Sequence, residues 1–343
     1  MVDMSHLIRA NEPIRKVFGK DHMKAMPKFE APMNYDLKKL AALVNESRAV
    51  YAAVNDPDLA EKIASFNKHN EELQEVENPQ KPIILWPEGK IPTLADYTDN
   101  SDYMFKQDPD YIPHMYEVCV KEGITPKGAI ILCPGGDHGE STVNTYQVAL
   151  DFAAMGYQCF LLLNRPNRQP WTSQDAGADS ARAVRYVRAH ADEYRIDPKK
   201  IAFAGFSNGG LTGEALIQYY TGKQTVKDIY PDYIPDELDE ISADINAFLC
   251  IYGPRFNGDP FDYEKVVYPP TFYAVGREDN AMNNLHWVYP DLVAHGIPVE
   301  VHTFAGTPHG KAGAKILDGE VKHPNFELWE PLADCFLMDV FNK

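Results

Sequence analysis

The sequence predicts an α/β protein, a mostly parallel eight-stranded sheet flanked by helices and preceded by an N-terminal helical extension. Three observations carry this. From Ile83 onward, short β-rich runs alternate with helical stretches, the order that builds layered α/β sheets. Several runs, such as Ala129-Ile130-Ile131-Leu132 and Cys159-Phe160-Leu161-Leu162-Leu163, are apolar throughout, as suits strands covered on both faces. A chain of 343 residues, 44% hydrophobic and 24% charged, can also bury about three-quarters of its unfolded surface without staples.

In chain order, residues 1–82 read as an arm and helical extension. Met1, Met4, Met23, Met26 and Met33 are half of the ten methionines, and over residues 1–28 Arg9, Arg15, Lys16, Lys20, Lys24 and Lys28 outnumber Asp3, Glu12 and Asp21. A basic, Met-rich arm on an acidic body suits packing on its own domain or on a neighbouring subunit, so a homo-oligomer through this extension is one expectation. Leu37, Leu40, Val44, Tyr51 and Val54 recur at helical spacing, and Asp56-Pro57 opens a second helix that Pro79 and Pro82 stop.

Residues 83–343 form the second unit. Its strands are expected at Ile83 to Trp86, Met115 to Val120, Ala129 to Leu132, Tyr157 to Leu163, Ile201 to Phe206, Ala247 to Tyr252, Phe272 to Val275 and Val299 to Thr303. Helices are expected at Thr142 to Met155, Ala178 to His190, Asn208 to Tyr220, Leu285 to His295 and Leu328 to Phe341. Between Gly222 and Ile241, Asp228, Asp232, Asp236, Glu237, Asp239 and Glu240 face only Lys223 and Lys227. Residues 222–245 could be a mobile rim or lid over a site, or a solvated surface connection.

The net charge of −17 disfavours nucleic acid or an anionic membrane as the main partner, because phosphate-tracking surfaces need a clustered positive field. An acidic rim at a site entrance would favour a neutral substrate over an anionic one. The N-terminus shows no apolar core for a secretory signal, and no stretch reaches the roughly 18 apolar residues of a spanning helix. Cys119, Cys133, Cys159, Cys250 and Cys335 lie in apolar runs with no CxxC pair, which reads as small core residues in a reducing cytoplasm. No His, Cys and Glu spacing suggests a metal site.

Gly205-Phe206-Ser207-Asn208-Gly209 carries the chemistry. The apolar run Ile201 to Ala204 ends at this G-x-S-x-G motif and a helix starts straight after it, the setting of a nucleophile elbow. A serine hydroxyl is a weak nucleophile and needs a base held by a third group. In this chain order the acid and then the histidine follow on loops after later strands. Asp279, after Phe272 to Val275, and His309, after Val299 to Thr303, meet that requirement. Glu278 and Asp259 compete for the acid's role, whereas His302 on a strand and His286 and His295 on a helix read as structural or surface residues. An oxyanion hole needs backbone N–H donors, and the glycine-rich loop after Leu132 offers Gly135 or Gly136, with the Asn208 amide as second donor. Asp137 and His138 in that loop, with Trp171, are candidate substrate contacts.

These residues resemble the α/β-hydrolase superfamily, and within it the esterase branch that holds bacterial acetylxylan and feruloyl esterases. The resemblance runs from about Ile83 to the end. It rests on Leu85-Trp86-Pro87-Glu88-Gly89, Pro134-Gly135-Gly136, Arg195-Ile196-Asp197-Pro198, Gly205-Phe206-Ser207, Gly276 to Asp279 and Pro308-His309-Gly310. It implies an α/β-hydrolase fold with Ser207 as nucleophile, Asp279 as acid and His309 as base. The implied reaction is cleavage of a short-chain, carbohydrate or small-alcohol ester through an acyl-enzyme, with no cofactor. Where the family often has alanine after the serine, this chain has Asn208. Where it often has proline and a small apolar residue, Gly253-Pro254-Arg255-Phe256 brings a cation, so Arg255 is either a further candidate substrate contact or a partner of the acidic stretch 222–241. An amide or peptide hydrolase on the same triad, and a noncatalytic binding protein on this fold, are the alternatives.

Overall fold

The computed structural model describes residues 82–95, 111–120, 123–136, 139–166, 171–254, 261–312 and 325–343. The arm and the two helices expected within residues 1–81 lie outside them. All eight expected strands are present: β1 (Ile83–Ile84), β2 (His114–Val118), β3 (Ala129–Cys133), β4 (Gln158–Leu163), β5 (Ile201–Phe206), β6 (Ala247–Ile251), β7 (Thr271–Gly276) and β8 (Val299–Phe304). They form one sheet in the order β1-β2-β4-β3-β5-β6-β7-β8. The pairs β1/β2 and β2/β4 are antiparallel, and every later pair is parallel. β3, β4, β5, β6 and β7 are buried along their whole length, which is why they read as unbroken apolar runs. β8, at the edge, stays half-buried.

The helices between them are α1 (Gly139–Ala154), α2 (Ser173–Ala189), α3 (Asn208–Tyr220), the short α4 (Val226–Ile229), α5 (Leu285–Ala294) and α6 (Trp329–Phe341). Strand alternation divides the core. Ala202, Ala204, Leu249 and Ile251 face α1 and α6 through Phe152, Trp329 and Leu337. Phe203, Phe248 and Cys250 face α2, α3 and α5 through Val184, Leu216 and Leu292. None of the described helices is long and apolar enough to cross a membrane.

Helix α2 starts five residues earlier than its apolar pattern suggests, and the reason is local. The Thr172 hydroxyl accepts the Asp175 N–H at 3.2 Å, while the Asp175 carboxylate accepts the Thr172 N–H at 2.9 Å. This reciprocal box satisfies two orphan donors at a helix start. Asp175 also accepts from the Leu94 N–H and the Tyr230 hydroxyl, each at 2.9 Å.

Beside it, Arg165 follows β4 and is almost wholly buried. Its Nε and Nη2 donate to the two oxygens of Asp179 at 2.9 and 2.8 Å, and its Nη1 donates to the Pro92 carbonyl at 2.7 Å. Trp86 Nε1 donates to Asp179 at 2.8 Å. A buried charge is tolerable only when paired and hydrogen-bonded in this way. The network ties the β1 end and residues 92–94 to α2.

The segment 222–245 leaves α3 and enters β6 at Ala247, opposite Ala202 at the start of β5, so its exit lies at the far end of β5 from the serine. Along the way it clasps α2. Arg182 forks onto Asp236 and donates to the Leu85 carbonyl, Arg185 donates to Asp239 at 3.3 Å and to the Ile241 carbonyl at 3.0 Å, and Arg188 donates to the Ser242 and Asp244 carbonyls. Hydrogen bonding from Arg182 holds the Asp236 carboxyl below the usual range. Two of the six acids of this stretch, Asp236 and Asp239, are thus answered by arginines.

The cysteine reading needs one correction. Cys133, Cys159 and Cys250 are buried, and desolvation pushes their thiols up, but Cys119 is half-buried and Cys335 exposed.

Two substitutions measure the arginine contacts. Arg165→Ala leaves Asp179 buried without its cation, an expected cost of about 3–5 kcal/mol. Arg182→Ala should cost nearer ~1–2 kcal/mol, because the side chain of its partner Asp236 keeps 37% exposure. Urea denaturation of both variants checks the order; equal losses would contradict it.

Candidate active site

β5 ends in a turn that only its sequence allows. Ser207 has φ 53° and ψ −115°, a conformation that costs a non-glycine residue of order 1–3 kcal/mol and persists only where its surroundings enforce it. A Cβ on Gly205 would lie 2.3 Å from the Gly209 oxygen, and one on Gly209 would lie 2.2 Å from the Cys133 oxygen. Both glycines of G-x-S-x-G are therefore required by close approach of backbone. The Ser207 N–H donates to the Ile251 carbonyl at 2.9 Å, pinning the turn to β6.

Ser207 occupies the position before the first turn of α3, where a serine hydroxyl commonly caps the helix. Here it makes no such bond. Its Oγ lies 2.7 Å from His309 Nε2. His309 Nδ1 lies 2.7 Å from Asp279 Oδ2, and Asp279 Oδ1 accepts the Ala281 N–H at 2.8 Å. A carboxylate at Nδ1 sets the tautomer, with the proton on Nδ1 and the lone pair of Nε2 toward the serine.

Burial separates the competing acids. Asp279 is buried, with its side chain only 2% exposed, whereas Glu278 is exposed and Asp259 lies outside the described residues. Of the competing histidines, His302 pairs with Glu300 at 2.6 Å, His295 stacks on Tyr263, and His286 is exposed on α5.

The loop after β3 lies against the serine. An added Cβ at Gly135 would be 2.9 Å from Ser207 Cβ. The Asn208 side-chain amide donates to the Gly136 carbonyl at 3.3 Å, so the residue that departs from the family's alanine ties this loop to the start of α3. The Asn208 N–H opens α3, where helix donors lack intrahelical partners.

Asp137, His138 and Arg255 lie outside the described residues. Trp171 is buried in a pair with Tyr111 at 5.6 Å, and the Tyr111 hydroxyl donates to the Leu163 carbonyl at 2.8 Å. Sequence reasoning missed the Asn208 tether and Tyr252, whose ring centroid lies 5.0 Å from that of His309. Among the described residues no group of three or more His, Cys, Asp or Glu could hold a metal ion.

A mostly parallel sheet with this serine at the turn after β5, and with acid and histidine after β7 and β8, is the arrangement of the α/β-hydrolase fold. Residues 130–256 match the BD-FAE family model. Among solved structures, the acetyl ester-xyloside bifunctional hydrolase of Caldicellulosiruptor lactoaceticus superposes with a TM-score of 0.57 at 22% identity, covering 76% of this chain and 96% of that one. Esterase Est2 of Thermogutta terrifontis, with propionate bound, gives 0.55 at 20% identity, covering 79% and 97%. At such identities the likeness establishes the fold. A curated relative, endo-1,4-beta-xylanase B of Butyrivibrio fibrisolvens, is 25% identical over 195 residues, 53% of this chain. The match spans 27% of that longer protein.

Gly135→Ala tests the loop. Its methyl group would meet Ser207 Cβ at 2.9 Å and the Phe206 oxygen at 2.8 Å, so the loop must move. A misplacement of this size is expected to slow fluorophosphonate labelling of Ser207 by about 100-fold with the melting temperature little changed. Labelling at the wild-type rate would show that the loop's position does not matter.

Proposed function

We propose that this chain is a serine esterase that removes a short acyl group, with acetyl favoured, from a carbohydrate or small alcohol through an acyl-enzyme. One observation carries the reading: the unbroken relay from Ser207 Oγ to His309 Nε2 and from His309 Nδ1 to Asp279, each contact at 2.7 Å. Support for the substrate class comes from the fold neighbours. One hydrolyses an acetyl ester and a xyloside by its description, another holds propionate, and the esterase with propionate is also known phosphorylated by paraoxon.

In this reading Ser207 Oγ attacks the ester carbonyl carbon while His309 Nε2 takes its proton. Asp279 steadies the resulting imidazolium and keeps the ring's orientation. The tetrahedral oxyanion is met by the Asn208 N–H and by an N–H of the Gly135-Gly136 loop. As the carbon–oxygen bond breaks, His309 returns its proton to the leaving alcohol and the acyl group stays on Ser207. Water then attacks the acyl carbon with His309 again as base, and the acid leaves.

p-Nitrophenyl acetate, propionate and butyrate, with the matching anilides, test the reaction. Turnover is expected on the esters, fastest at acetate and far above the anilides. Ser207→Ala should lower kcat by at least about 10⁴-fold, and Asp279→Asn by about 10³–10⁴-fold. No turnover of any short ester by the wild type, or an active Ser207→Ala, would overturn the reading; faster anilide cleavage would move it to amide hydrolysis.

A further inference from the structure

Tyr252, the residue after β6, breaks the alternation that the strand obeys. Ala247, Leu249 and Ile251 face the layer of α1 and α6, and Phe248 and Cys250 face the other side. Strict alternation would send Tyr252 to the side of Cys250. Instead it lies with Ile251 in the first cluster, because its backbone turns to φ 42°. Arg195, Ser207 and Tyr252 are the non-glycine residues at positive φ among the described residues, and two of the three meet at the triad. A bulky residue in this region is an outlier that its surroundings must hold in place.

What holds it is continuous with the nucleophile turn. The Tyr252 N–H donates to the Ala274 carbonyl at 2.8 Å, and the preceding Ile251 carbonyl accepts the Ser207 N–H at 2.9 Å. The ring is buried and meets His309 edge-on at 5.0 Å with 64° between planes. Phe206 and Phe326 back it at 6.3 and 6.1 Å. One residue is thus fastened at its backbone to β7, directly after the carbonyl that pins Ser207, and its ring lies against the base.

We infer that Tyr252 is a positioning residue. It sets the distance between Ser207 and His309, and its ring blocks rotation of the imidazole so that Nε2 stays toward the serine and Nδ1 toward Asp279. The strain at φ 42° is the cost of placing the ring there. The inference rests on the triad reading above.

The test uses the full chain with p-nitrophenyl acetate. Fluorophosphonate titration to completion counts competent serines, so that kcat is expressed per site and any unfolded fraction drops out. Tyr252→Phe keeps the ring and is expected within about 3-fold of wild type. Tyr252→Leu and Tyr252→Asn remove the ring; asparagine tolerates the left-handed backbone and covers the case in which the leucine variant does not fold. Both should lose about 10- to 100-fold in kcat per site and in the labelling rate, with KM within about 2-fold. Wild-type kcat per site in the asparagine variant would overturn the inference, as would a raised KM at unchanged kcat, which would make Tyr252 a substrate contact. A wild-type protein that neither turns over esters nor labels at Ser207 would instead remove the esterase reading itself, so the two failures are distinguishable.

Discussion

The left-handed backbone at Ser207 is the constraint on which the site depends. It is unfavourable in isolation, so three neighbours must supply what it lacks. β6 gives a carbonyl for the serine N–H, the Cys133 carbonyl sits where only a glycine can pass it at position 209, and the loop at Gly135 closes on the serine's flank. Each of these belongs to a strand adjacent to β5 or to the loop that leaves it. The central position of β5 in the sheet is thus what lets a strained turn survive, and the survival of the turn is what frees the hydroxyl from capping α3 and directs it to His309.

Charge is distributed by the same logic of local compensation. The chain carries a large acidic excess, yet its most acidic segment is drawn along α2 by three arginines spaced three residues apart, and the buried Arg165 is matched by Asp179 with Asp175 close by. Paired buried charges of this kind specify an arrangement more than they stabilise it. Here they fix how α2 sits on the sheet and so where residues 92–94 and Trp86 lie. The triad is set apart from this acid, with Asp279 the buried carboxylate beside the histidine.

Much of this was legible in the sequence. β5 and α3 fall at the expected limits because an apolar run, a glycine-flanked serine and a second apolar pattern leave few other structures available. Asp279 and His309 could be located because loops after successive parallel strands converge on one edge of a sheet. Other features could not be read from composition. The start of α2 depends on an aspartate acting in a capping box more familiar with glutamate or glutamine. Residues 222–245 show their charge in the sequence but not their partners, and those partners lie some 50 residues earlier, on a helix whose arginines read as ordinary surface. Tyr252 had no signal at all, since a positive φ in a non-glycine residue is imposed by tertiary contacts.

The bond from the Ser207 N–H to the Ile251 carbonyl also bears on when the molecule becomes competent during synthesis. A nascent chain that has emerged as far as α3 already contains the serine, both motif glycines and the loop after β3. It still lacks the strand that holds the turn, and that strand can join β5 only after the long connection from Tyr220 to Ala247 has closed. The acid and the base arrive later still, on β7 and β8. The nucleophile is therefore made before its acid and base, and it is armed only when both have arrived.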